Sequence, residues 1–99
     1  MIHYEWDENK AAYNLREHGI DFADVRAVFN DPFRLTEEDS VVDGELRWRT
    51  IGTARGITVL LVIHLEKDFH EDIFVRIISA RKATASERSD YEQNRTNDI

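Results

Sequence analysis

The sequence predicts an α+β domain in which two helices precede an antiparallel sheet and one helix follows it. Three observations lead there. Apolar residues recur at helical spacing over residues 8–29, the period changes to two from Phe33 to Ser79, and a capped helical pattern resumes at Thr84. Helices gathered at the ends of a strand run indicate α+β, because alternating helices and strands would be needed to build a parallel sheet.

Ile2 to Trp6 is a short strand. Asp7 is an N-cap for a helix from Glu8 to His18, in which Ala11, Leu15 and His18 form one stripe, and Gly19 stands where a left-handed C-cap closes it. Asp21 caps a second helix with Phe22, Val25, Val28 and Phe29 on one face, and Asp31-Pro32 stops it. Phe33 to Thr36 predicts a weak edge strand, and Glu37 to Glu45 a polar loop with a turn at Asp43-Gly44. In the next strand Leu46, Trp48 and Thr50 alternate with Arg47, Arg49 and Ile51 as far as Gly52. Ile57 to Leu65 is apolar at almost every position and so predicts a central strand covered on both faces. Ile73 to Ser79 is a third strong strand. The last helix starts with Thr84 or Ser86 as cap and Glu87 in its first turn, frays after Tyr91, and leaves a loose polar tail from about residue 93 to Ile99.

Ninety-nine residues that are 41% hydrophobic, with two Trp, five Phe and a single Pro, suit one domain over residues 1–99. The absence of Cys excludes a disulfide framework, a zinc ribbon and a thiol nucleophile. The longest apolar run has nine residues, against about 20 for a membrane-spanning helix, so a soluble, cytoplasmic protein without membrane contact is expected.

A net charge of −7 argues against a nucleic-acid binder, because phosphates reward Lys and Arg. The distribution weakens that argument. Residues 37–45 carry −5 and residues 66–72 carry −3, which leaves the rest of the chain at +1. Residues 46–65 and 73–86 hold Arg47, Arg49, Arg55, Arg76, Arg81 and Lys82 and no carboxylate. Strands avoid Asp and Glu in any case, and Arg tolerates half-burial along its stem, so a purely structural reading stands beside the functional one.

Two runs, YEWDENKAAYNLREHG (Tyr4 to Gly19) and RIISARKATASER (Arg76 to Arg88), together with VFNDPF, ELRWRTIG and the apolar central strand, resemble the BrnT family of toxins from type II toxin–antitoxin pairs. The resemblance runs in order from Tyr4 to Tyr91. It implies a RelE-like fold and a small ribonuclease that arrests growth. It also implies a cognate BrnA-like antitoxin carrying a ribbon-helix-helix element, through which alone the pair contacts operator DNA. Two departures bear on activity: Glu17 stands where the family usually has a basic residue, and the hairpin Glu66 to Asp72 is unusually acidic.

Metal-free RNA cleavage needs a base for the 2′-hydroxyl, cations for the pentacoordinate phosphate and an acid for the leaving oxygen. Arginine supplies only the cation, since it stays protonated. Arg47 and Arg49 leave one strand face about 7 Å apart. They can grip phosphates or simply pair with the acidic segment. Arg81 lies at a strand end and in the family's S-A-R run, and Arg76 can join it only if the strand breaks phase near Ser79. Lys82 adds an RNA-binding cation beside Arg81. For proton transfer the candidates are Lys10, His18, His64 and Tyr91. His18 can equally seal the helix corner, and Tyr91 can equally pack its helix onto the sheet. His64 reads as a core residue. Lys10 and Asn14 share a helix face and the family pattern K-A-x-x-N, Asn14 as an RNA contact. No cofactor, metal cluster or Gly-rich phosphate loop is apparent. The alternative reading is a catalytically weak module that keeps the fold and the antitoxin.

Overall fold

A computed structural model of the chain describes residues 1–55 and 58–97. The elements run β1 (Ile2–Trp6), α1 (Glu8–His18), α2 (Phe22–Val25) leading into a 3-10 turn (Arg26–Asn30), β2 (Leu35–Val42), β3 (Glu45–Ala54), β4 (Thr58–Phe69), β5 (Asp72–Lys82) and α3 (Ala85–Asn97). Ile57, expected to open the central strand, and the tail residues Asp98 and Ile99 lie outside the described residues.

The strands form one five-stranded sheet in the order β1-β5-β4-β3-β2. The sheet is mixed, which corrects the expectation of a purely antiparallel one. β2 to β5 form an antiparallel meander, but β1 pairs in parallel with β5, from Ile2↔Ile73 to Trp6↔Ile77. The helices carry the chain from β1 at one edge to β2 at the other, and three hairpin reversals bring β5 back alongside β1 in the same direction.

Local signals set most boundaries. The Asp7 carboxylate accepts from the Asn9 and Lys10 amides, and Gly19 adopts φ +69°, a left-handed conformation, while its N–H bonds Leu15 O. The second helix is split, with one short α turn followed by the 3-10 segment, yet Phe22, Val25, Val28 and Phe29 are all buried as expected. β2 replaces most of the predicted polar loop. Turning back at Asp43-Gly44, it pairs with β3 from Leu35↔Ile51 to Val42↔Glu45. An edge strand has one face and one margin in water, so it accommodates Glu37, Glu38 and Asp39. Thr84 and Glu87 form a capping box, and Asn94 Nδ2 donates to Phe33 O at 2.9 Å, which keeps α3 helical to Asn97 where a loose tail was expected.

The sheet has one closed and one partly open face. On the closed face Phe22, Val25, Val28 and Phe29 pack on Leu60, Val62, Val75 and Ile77. On the other, Tyr91 of α3 and Ala83, just after β5, pack with Ile51, Val59 and Leu61. Leu15, expected in the core stripe, is 50% exposed. Asn14 is the buried member of α1 instead, because α1 lies along β5 where β1 no longer covers its margin. Its Oδ1 accepts from Ala80 N at 3.0 Å and its Nδ2 donates to Ile20 O at 3.2 Å.

Asp31 ties the two faces together. Its carboxylate accepts from Phe33 N, Thr53 N, Thr53 Oγ1 and, at 2.6 Å, Tyr91 OH. Burial alone would raise this carboxyl, but the hydrogen bonds, led by that from Tyr91, hold it below the usual range. The backbone approaches closely here: a Cβ on Gly52 would meet Val28 Cγ1 at 3.0 Å and Asp31 Oδ2 at 3.3 Å.

Candidate active site

Where α1 ends beside the exit of β5, the open face holds a cleft of about 280 Å³. His18 comes from the last turn of α1, Arg49 from β3, Ser79 and Arg81 from β5, and Asp39 from β2, over a floor of Leu61 and Ile63. A second hollow of about 330 Å³ adjoins it, sharing His18 and Ser79 and adding Lys10 and Tyr13. Lys10, Asn14 and His18 are four residues apart in turn, so they form one stripe of α1 facing the cleft side of β5. The middle residue is spent on backbone hydrogen bonds, and the outer two are exposed.

Arg81 is held rigidly. Its Nη1 and Nη2 donate to the two Glu87 oxygens at 2.8 and 3.1 Å, and Nη1 also donates to Lys82 O. Among the described residues this leaves Nε–H and one Nη2–H without an acceptor, while the bidentate pair fixes the plane of the guanidinium. The Arg81 hydrogen bond holds the Glu87 carboxyl at about 2, and the same bond raises Arg81 further above its usual value. Arg49 is looser. Its nearest carboxylate among the described residues, Glu37, is 3.8 Å away, and its Nε–H, like that of Arg47, is buried with no acceptor among them.

The phase of β5 matters. Ile63 pairs with Ser79 and His64 with Ile77, so Ile78 is an extra residue and the alternation shifts by one. Arg76 and Arg81 therefore leave the same face despite their odd separation. They still do not meet, being about 13 Å apart along the strand. Arg76 pairs with Glu5 at 3.4 Å and lines a separate groove.

The remaining candidates are placed elsewhere. Tyr91 is 2% exposed and donates to Asp31, and burial, reinforced by that bond, raises its pKa. Lys82 pairs with Leu60 and so leaves the face opposite Arg81. Arg47 precedes Arg49 on the same strand face but lines no part of the cleft. His64 is fully buried, its Nε2 2.7 Å from Thr50 Oγ1, and burial lowers it to about 4. Asp39 is the cleft residue that sequence reasoning missed. The β2 register slips between Glu38 and Ser40, and Asp39 is the unpaired residue at that bulge. Bulges re-aim side chains, and nothing in a run of acidic residues marks where one will fall.

Among the described residues no group of three or more His, Asp or Glu is arranged to hold a metal ion, and no helix is long and apolar enough to cross a membrane. The cleft offers an imidazole, two guanidinium groups and one carboxylate, which is equipment for moving a proton beside a stabilised anion.

Comparison with known proteins agrees with this fold. The family model for the ribonuclease toxin BrnT of type II toxin–antitoxin systems matches residues 6–87. The 1.1 Å crystal structure of the Brucella abortus ribonuclease toxin BrnT superposes with a TM-score of 0.57 at 27% identity, covering 85% of this chain and 97% of that one. No curated protein matches the chain. The match over most of the sequence, carried by a five-stranded α+β fold of the same kind, places this chain in the BrnT family of type II toxin–antitoxin ribonuclease toxins.

Proposed function

We propose that the chain is an endoribonuclease that cuts RNA without a bound metal, by attack of a 2′-hydroxyl on the adjacent phosphate, and that a BrnA-like antitoxin neutralises it. The observation that carries this reading is the convergence of His18, Arg49 and Arg81 on one cleft from a helix and two strands. Arg49 and Arg81 stabilise the pentacoordinate phosphate, Arg81 through its Nε–H and remaining Nη2–H and Arg49 through its terminal Nη groups, which have no hydrogen-bond acceptor among the described residues. His18 exchanges a proton with the attacking or leaving oxygen, since imidazole titrates closest to neutrality. Lys10, in the adjoining hollow, takes the neighbouring phosphate, and Arg47 extends the same track beyond Arg49. Asp39, which lines the same cleft as His18, completes the acid–base pair. Asn14 and Tyr91 are left out of the mechanism because their polar atoms are used inside the fold, Arg76 because it lies in a different groove, and Lys82 because it leaves the other face.

Single-stranded RNA incubated with the purified chain in EDTA is the direct test. His18→Ala is expected to slow cleavage by about 10²–10⁴, and Arg81→Ala by about 10²–10³, each with a cooperative thermal transition retained. A fully active His18→Ala would remove the cleft from the mechanism, and activity that requires added Mg²⁺ would remove the metal-free route.

The binding-module reading also has an observation in its favour. Glu87 neutralises Arg81 and Asp39 sits within the cleft, so the site carries less positive charge than its arginines suggest. Expression without antitoxin separates the two, because a binding module leaves growth unaffected while a ribonuclease arrests it.

A further inference from the structure

The ladder between β3 and β4 stops at Trp48↔His64, although β3 begins at Glu45 and β4 continues to Phe69. Among the described residues, β3 before Trp48 pairs only with β2, and β4 after His64 pairs only with β5. The two strands part like a fork. Between them lies a groove of about 440 Å³, larger than the catalytic cleft and sharing no lining residue with it. Leu46, Trp48, Leu65 and Phe74 form its apolar wall, and Phe74 is 42% exposed, with Phe69 at 64% farther along β4.

Two properties define what fits. The stretch Leu65–Phe69 is a sheet margin with unpaired backbone groups, which accept an added strand. The rim is net acidic: Glu5, Glu45 and Glu66 line the groove against Lys67 and Arg76, the latter already paired with Glu5, and residues 66–72 carry −3 overall. RNA phosphates and a second copy of this hairpin would both be repelled. An extended segment alternating apolar residues with Lys or Arg satisfies the backbone, the groove and the charge together.

We propose that this fork is the docking site for the antitoxin, through an extended segment of that alternating composition which adds to β4 and seats an apolar side chain between Trp48 and Phe74. The proposal rests on the toxin reading above and names the chemistry of its partner. It also accounts for the acidic hairpin, whose charges hold a protein partner and lie apart from the RNA cleft.

The test is the double variant Glu66→Lys/Asp68→Lys, both positions being exposed, titrated calorimetrically with the antitoxin encoded in the same operon. Affinity is expected to fall at least about tenfold, with a salt dependence that the wild type shows and the variant loses, while the free chain cleaves single-stranded RNA at its original rate. Unchanged antitoxin affinity would overturn the proposal. So would loss of RNA cleavage in the variant, which would give the groove to RNA, or wild-type self-association by sedimentation that the variant abolishes, which would give it to a second copy. A wild-type chain that leaves RNA and growth untouched defeats the toxin reading instead, and the titration still reads the groove.

Discussion

The two faces of the sheet treat polar groups in opposite ways. On the closed face and at its margin, most buried polar groups are used up inside the fold, His64 Nδ1 being the exception among the described residues. Thr36, Thr50 and His64 form a hydrogen-bonded row, and Asp31 accepts four bonds that join the 3-10 turn, β3 and α3. On the open face, Arg81 keeps its Nε–H and one Nη2–H, and Arg49 its terminal Nη groups, without a hydrogen-bond acceptor among the described residues, and His18 and Lys10 are exposed without an ion-pair partner there. Burial makes an unsatisfied polar group costly, so closed positions are spent on stability, whereas half-exposed positions can keep donors in reserve for a ligand. A polar side chain of chemical interest must therefore be judged by its burial as well as its face: Tyr91, under α3 on the same face as the cleft, is 2% exposed and spent on Asp31, while His18 is exposed, and the two fall on opposite sides of that divide.

Substitutions should respect it. The largest effect is expected from Phe22→Ala on the closed face, which removes a fully buried ring and should lower stability by about 3–5 kcal/mol. Urea unfolding measures it, and RNA cleavage per folded molecule should not change. A stable but inactive Phe22→Ala would break the separation of the faces.

The next effect is one of pH. His64 is held at about 4 in the fold against 6.5 in an unfolded chain, so as pH falls the unfolded chain is protonated first. The stability contributed by the neutral ring is complete above about pH 6.5 and is lost towards pH 4, roughly 3 kcal/mol in all. Glu87 adds a second acid sensitivity lower on the scale: its carboxyl is depressed to about 2, so its contribution is lost only as pH falls below 4.5. Thermal midpoints recorded from pH 7 to 4.5 should therefore fall for the wild type and stay flatter for His64→Gln. Equal slopes would show that the buried imidazole is not the sensor.

The smallest effect sharpens the comparison most. Tyr91→Phe removes one donor to Asp31 and leaves three, and should cost about 1–3 kcal/mol with no change in cleavage per folded molecule. Lost activity with unchanged stability would move Tyr91 across the divide and make it a catalytic residue.

Much of the fold was readable from neighbouring residues. Asp7 and Gly19 bound α1, Asp43-Gly44 turns the first hairpin, Thr84 and Glu87 open α3, and the buried set Phe22, Val25, Val28 and Phe29 followed from spacing alone. The candidate site was readable in part: Arg49, Arg81, His18 and Lys10 were singled out as residue types, but their assembly was not. Arg76 shows why. Its face depends on Ile78 being an extra residue against β4, and its company depends on Glu5 in β1.

Caps, turns and side-chain periods are decided within a few residues, by hydrogen bonds and sterics that a short peptide already contains, and these the amino-acid order settled without help. Which strand lies beside which, where a ladder ends, and which side chain is spent in doing so are decided by groups far apart in the chain. Asn14 reaches Ala80 across 66 residues and Asp31 reaches Tyr91 across 60. The parallel pairing of β1, the bulge that carries Asp39 into the cleft and the fork beside Trp48 belong to that second kind, because each exists only once the whole sheet has closed its register.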